Sequence, residues 1–232
     1  MRTHSRRTSL VGLIGSAALL LAASGCSLLG QEDDGKDSAH TVTLVTHESF
    51  TLPEELIKEF EADTGYRLDI NKYADAGALT NQLVLTKANP LGDVVFGIDN
   101  TFATRAIDEG VFEPYAPTLP TGAADDELEG DDGDALTPID TASVCVNVDD
   151  AWFKAKGVPA PKGLADLVKP AYKDLFVTPS ATSSSPGMAF LLTTIQAYGD
   201  DWPRYWERLM DNGARVVKGW SDAYYTDFSF SG

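Results

Sequence analysis

The sequence predicts an α/β protein built on a parallel sheet. Two observations carry this. Between residues 41 and 110 a strand-like run is followed by a helix-like run three times over, and strand and helix alternate again after residue 163. No segment repeats another.

The elements follow in order. "TVTLVT" (41–46) alternates apolar and polar residues as a strand does. In "PEELIKEFEADTG" Pro53 stands near a helix start, Leu56, Ile57 and Phe60 share an inward face, and Gly65 is the C-terminal stop. "YRLDINKY" (66–73) reads as a second strand and "AGALTNQLVLTKAN" (76–89) as a helix with Leu79, Leu83 and Val84 inward. "DVVFGI" (93–98) is a third, fully buried strand, and "TFATRAIDEG" a short helix closed by Gly110. "TPIDTASVCVNVDDAWF" (137–153) is an extended segment running into a helix start near Asp149. Then come a short helix "GLADLV", a strand "DLFVTP", a helix opened by "PSATSSSPG", a helix "DDWPRYWERLMDNG", a strand "ARVVKG", and a last helix start at "WSDAYYTDF".

The N-terminal 25 residues read as a signal peptide. Arg2, Arg6 and Arg7 form a positive region, and Leu10–Ser24 is an apolar run too short to cross a bilayer. It ends in "LAASGC", with small residues before Cys26, and this order favours a lipobox whose Cys26 is lipidated over a nearby ordinary cut that leaves Cys26 a bystander. Ala23 stands where a lipobox usually has Leu. Residues 26–39 are polar and aperiodic, as a tether between membrane and folded body would be. With Cys26 lipidated, Cys145 has no disulfide partner, and its apolar setting "SVCVNV" predicts a buried small hydrophobe.

Removing the signal peptide takes three of the 18 basic residues and none of the 35 acids, which leaves a net charge of −20. That argues against nucleic acid as a partner and weakly favours a cationic one. Residues 119–136 carry seven acids and no base. As a calcium loop opening at Asp125, the segment fails at its twelfth position, Leu136, where a bidentate Glu is needed, so it reads as a solvated loop. Catalysis is disfavoured too. "GWSDA" is one residue short of the nucleophile-elbow pattern, and His47 is the one histidine within the fold, so neither a Ser-His-Asp triad nor a zinc site can be assembled. The chain is expected to be neither an enzyme nor a holder of a cofactor or metal.

In an open parallel α/β sheet, ligands bind beyond the carboxyl ends of the strands. Four polar segments fall there: "THESF", "GIDNTF", "PSATSSSPG" and "GWSDAYY". In the serine loop, Ser185 as cap and Pro186 at the first helical position satisfy the local rules, with Met188, Leu191, Leu192 and Ile195 buried. Thr182, Ser183 and Ser184 are surplus, beside free helix N–H groups that suit a phosphate or carboxylate. Trp220, Tyr224 and Tyr225 surround Asp222, a setting in which a flat cation could stack.

"THESF", "DVVFGIDNTF", "PSATSSSPGMAFL" and "KGWSDAYY", in this order from about Thr41 onward, make the sequence resemble the thiamine-binding solute receptors of ABC importers. The resemblance implies a two-lobed periplasmic-binding-protein fold with crossover hinge strands. Residues 40–138 would form the first lobe and 139–232 the second. The chain stops where family members continue, so the second lobe and the completion of the first are expected to be truncated. The resemblance implies ligand contacts from Glu48, Ser49, Asp99 and Asn100 on the first lobe. On the second it implies a phosphate loop of Ser183, Ser184, Ser185 and Gly187, with Trp220 and Tyr224 beside the thiamine rings. His47-Glu48 stands where the family commonly has Tyr-Asp. The implied partners are thiamine or its phosphate esters and a membrane permease, met by an extracytoplasmic, lipid-anchored monomer. The competing reading is a ferric-ion receptor of the same architecture, with Tyr224 and Tyr225 as phenolate ligands and His47 or Glu48 opposite. Successive helical residues point apart, which counts against it.

Overall fold

A computed structural model of the chain describes residues 40–128, 130–131 and 134–229. The signal peptide, the tether and Cys26 lie outside the described residues, as do Glu129 and Asp132 of the acidic loop. Two small parallel sheets organise the chain. The first has the order β2-β1-β3, made by β1 (Thr41–Thr46), β2 (Arg67–Lys72) and β3 (Val94–Phe96). Thr41 stands opposite Arg67, and Leu44 opposite Val94. The second pairs β4 (Val177–Pro179) with β5 (Arg215–Val217). Helices α1 (Glu54–Thr64), α2 (Ala76–Thr86) and α3 (Ala103–Asp108) connect the first sheet. Helices α4 (Asp150–Lys156), α5 (Leu164–Leu167), α6 (Ser185–Tyr198) and α7 (Trp202–Asp211) belong to the second half of the chain, which ends in a π-helical segment, Asp222–Phe228.

The alternation of strand and helix therefore yields the parallel pairing expected of it. The start and stop signals of α1 act as read: Pro53 precedes its first turn, and Gly65 takes the left-handed conformation, φ 73°, that closes it. Asp149 caps α4, its carboxylate accepting the N–H of Trp152 at 2.9 Å. Each sheet carries its own core. Val45, Leu79 and Leu83 form the first, with Tyr73, Leu91, Val95 and Ile98 around them; Leu167, Phe190, Tyr205, Leu209 and Ala214 form the second.

Several expectations are corrected. Leu56 and Phe60 of α1 are exposed, and no residue of that helix is buried. Its tie to β2 is polar: the Glu61 carboxylate accepts the N–H of Leu68 at 3.0 Å. Val94 of β3 is 49% exposed, because β3 lies at a sheet edge and pairs with β1 alone. The buried stripe of α6 is Gly187, Phe190 and Thr194, with Leu192 exposed, since that stripe is the face packed against β4 and α7. Its cap is Ser184 rather than Ser185, and Pro186 sits in the second helical position. Cys145 is exposed: residues 139–148 form no ladder that would bury it. Asp131 of the acidic loop accepts the N–H groups of Ala135 and Leu136 at 3.0 and 2.7 Å, so this carboxylate is spent on a backbone turn. Among the described residues no helix is long and apolar enough to cross a membrane.

Candidate ligand-binding cleft

The carboxyl ends of β1, β4 and β5 and the start of α2 meet. From β1 the chain turns through His47–Phe50, where Phe50 donates to the His47 carbonyl at 3.2 Å. Gly97, just after β3, has φ 108° and lies so close to the His47 ring that a Cβ would collide with it. Burial holds the His47 imidazole below its ordinary value; Asp75, Glu48 and Asp140 pull the other way, and Lys72 adds to the lowering.

After β2 comes Asp75, a buried carboxylate. Its Oδ1 accepts the N–H of Ala76 at 2.8 Å, and its Oδ2 accepts the N–H of Trp220 at 2.8 Å. Gly219 stands between two acids, since a Cβ there would lie 3.6 Å from Asp75 Oδ2 and 3.7 Å from Glu48 Oε1. The serine loop supplies the matching contact in the other direction. The Ser183 carbonyl accepts the N–H groups of Gly77 and Ala78 at 3.1 and 3.2 Å, while its hydroxyl donates to the Lys218 carbonyl at 2.6 Å. Leu79 donates to the Asp75 carbonyl at 2.9 Å, so all four leading amides of α2 are satisfied, two of them by the other half of the chain.

The start of α6 differs. Ser184 is fully buried, and its hydroxyl and that of Ser185 meet no hydrogen-bond partner. Gly187 lies against the backbone of Pro179 and Ser180, closer than any side chain would allow. Beyond Gly219 the aromatics pack on one another. Trp220 stacks on Tyr224 with centroids 4.7 Å apart and planes 12° from parallel, and Tyr224 stacks on Phe228 at 5.5 Å. Tyr225 touches both Trp220 and Tyr224 edge-on, at 5.2 and 5.6 Å; the wider π-helical turn keeps in contact two rings expected to diverge. An ion pair between Arg215 and Asp227 ties this segment to β5.

Of the residues singled out from sequence, Glu48, Ser183, Trp220 and Tyr224 are brought together, with Ser184, Ser185 and Gly187 at the adjoining helix start. Ser49 sits in the turn after His47, partly exposed, with Glu48. Asp99 and Asn100 are placed differently. The Asp99 carboxylate accepts the N–H and the hydroxyl of Thr101 at 2.7 and 2.6 Å, so it builds the turn into α3, and Asn100 is exposed. Sequence reasoning missed Asp75 and Gly77. The signal was present in "ADAGAL": an Asp at a helix start followed by small residues, which let another backbone approach closely. Among the described residues no group of three His, Cys, Asp or Glu side chains is arranged to hold a metal. An open groove of about 640 Å³ lies along α7, lined by Trp202, Trp206 and Met210, away from these loops.

Two parallel α/β units that present polar and aromatic loops to each other at the carboxyl ends of their strands define a periplasmic-binding-protein architecture. The chain belongs to the bacterial extracellular solute-binding protein family, whose profile matches residues 89–229. Thiamine-binding periplasmic proteins of Escherichia coli (strain K12) and Salmonella typhimurium (strain LT2) are each 30% identical to it over 190 residues, covering 79% of this chain and 55% of theirs. The chain thus spans about half the length of the curated relatives it matches. A solved periplasmic thiamin binding protein shares the fold with TM-score 0.62 at 24% identity, over 83% of this chain and 59% of that one. The periplasmic binding protein P5PA does so with TM-score 0.59 at 20% identity, over 77% and 58%.

Proposed function

We propose that this chain is the ligand-capturing part of an extracytoplasmic receptor for thiamine or its phosphate esters, anchored by a lipid on Cys26 and delivering its ligand to an ABC permease. The carrying observation is the convergence of the carboxylates of Glu48 and Asp75 on Gly219, next to the Trp220–Tyr224 stack. Thiamine is a flat cation, and a pair of acids beside aromatic faces suits it. The unpartnered hydroxyls of Ser184 and Ser185 at the start of α6 suit an ester's phosphate. Binding is non-catalytic, by a monomer whose lobes divide near residue 138 and close on the ligand. The names of the curated relatives favour thiamine over ferric ion.

Thermal unfolding with thiamine, thiamine diphosphate or ferric citrate tests this reading. A ligand that binds only the folded state raises the melting temperature. A rise with thiamine and none with ferric citrate supports the proposal; the reverse hands the site to iron. For the anchor, metabolic labelling with palmitate is expected to mark the protein and to be lost in Cys26→Ser.

A further inference from the structure

We infer that Asp75 is the positioning residue of the cleft: its one carboxylate caps a helix start in each lobe, and so holds the Trp220 ring in place only while the lobes are together. In this use it rests on the thiamine reading above, although its geometry does not.

The first amide of a helix has no partner within the helix and needs an acceptor from outside. At Ala76 that acceptor is Asp75 Oδ1, from the same lobe, at 2.8 Å. At Trp220, where a helical turn opens and runs into the π-helical segment, it is Asp75 Oδ2, across 145 residues of sequence and also at 2.8 Å. A carboxylate at a helix N-terminus is favoured both by its hydrogen bonds and by the partial positive charge of the aligned peptides. Asp75 draws on both effects from two helices at once, which accounts for a carboxylate that is 8% exposed with, among the described residues, no cationic side chain bonded to it. The Ser183 carbonyl returns the exchange by accepting from Gly77 and Ala78. Separating the lobes would strip three amides of their acceptors together, so the set makes or breaks as a unit.

The consequence for the ligand lies in the ring. The Trp220 backbone is fixed by Asp75 and its ring by Tyr224 and Tyr225, so a lobe-bridging bond sets the aromatic wall. Glu48 Oε1 stands beside the same Gly219, so closure brings two negative groups together. A cation against Trp220 offsets their repulsion. An anion there would add to it.

The test uses Asp75→Ala, which removes both acceptors and the charge, and Asp75→Asn, which keeps one acceptor oxygen and puts an N–H donor in place of the other. Trp220 emission is obtained as the difference between each protein and its Trp220→Phe counterpart, without ligand and again with excess thiamine, which favours the closed lobes. Asp75→Ala is expected to shift that emission to the red, and Asp75→Asn to shift it less, since its one oxygen can accept from Trp220 or from Ala76 but not from both. With thiamine, Asp75→Ala is expected to dissociate about tenfold faster or more, the cost of losing a hydrogen bond to a charged group, with association changed little. Trp220 emission unmoved in Asp75→Ala both without ligand and with excess thiamine overturns the inference. If Asp75→Ala does not fold, Asp75→Asn decides alone: a red shift with faster dissociation supports the inference, and wild-type emission with wild-type dissociation opposes it. A wild-type protein that ignores thiamine, yet shows the emission shift, refutes the ligand reading and leaves the positioning role standing.

Discussion

The carbonyl oxygen of Ser183 accepts the N–H of Gly77 at 3.1 Å, which brings the backbone of the serine loop against the first turn of α2. The approach is possible because residue 77 has no side chain. A Cβ there would lie 2.5 Å from the ring of Phe102 and 2.9 Å from the Ser183 carbonyl carbon. The ring could turn away; the backbone could not without drawing the lobes apart.

Gly77→Ala is therefore expected to cost about 1–3 kcal/mol as an overpacked contact. It is expected to weaken thiamine binding even though Ala is otherwise the better helix former. Calorimetric titration and thermal unfolding of the same variant check both halves. Wild-type affinity in Gly77→Ala would show that the contact between α2 and the serine loop contributes nothing to the bound state.

The second lobe has a core of its own. Leu209 is fully buried among Leu167, Phe190 and Tyr205. Leu209→Ala is expected to destabilise by about 2–5 kcal/mol through lost transfer energy and a residual cavity. Tyr205 donates its hydroxyl to the Leu164 carbonyl at 2.9 Å, and burial pushes the phenol above its ordinary range. Tyr205→Phe removes that bond and is expected to cost about 1 kcal/mol. Denaturant titration reads both, and a smaller effect for Leu209→Ala than for Tyr205→Phe would contradict this ranking.

His47 confers a pH dependence whose sign follows from its setting. Burial lowers its pKa in the folded protein, so the unfolded chain binds the proton more readily. Stability is then complete above the unfolded value near 6.5 and is lost as pH falls through the lower folded value. His47→Gln is expected to flatten this stretch of the stability profile, measured by thermal unfolding between pH 7 and pH 5. An unchanged slope would assign the acid sensitivity to carboxylates.

How far the sequence disclosed this arrangement depended on the range of the interaction. The alternation of β1 to α3, the glycine stop at Gly65 and the Asp149 cap are local and were legible, because each residue acts on its own few neighbours. Leu56 and Phe60 read as buried because they share a helix face, but what covers a face is a tertiary matter. Among the site residues, Trp220, Tyr224 and the serines could be named from their chemistry. Asp75 could not be placed, since a single Asp before a helix reads as a local cap, and its second partner lies 145 residues away. Asp99 was named as a ligand contact, and its carboxylate also holds its own turn through Thr101, a local role the sequence reading did not foresee.

The serines at the start of α6 give a prediction that separates the forms of the ligand. A buried hydroxyl without a partner costs about 1–3 kcal/mol of desolvation, and the hydroxyl of the fully buried Ser184 is such a group. Ser184→Ala removes that cost, so the ligand-free protein is expected to melt at the same temperature or higher. On the reading proposed above the same hydroxyl would donate to a phosphate at the helix start, where backbone amides add to the attraction. Affinity for thiamine monophosphate and diphosphate is thus expected to fall about tenfold, the worth of a hydrogen bond to a charged acceptor, while affinity for unesterified thiamine stays near wild type. Titration of the three compounds against wild type and Ser184→Ala makes the comparison. An equal loss for all three would mean that Ser184 shapes the cleft as a whole, and a lower melting temperature without ligand would mean that its hydroxyl is already satisfied in solution.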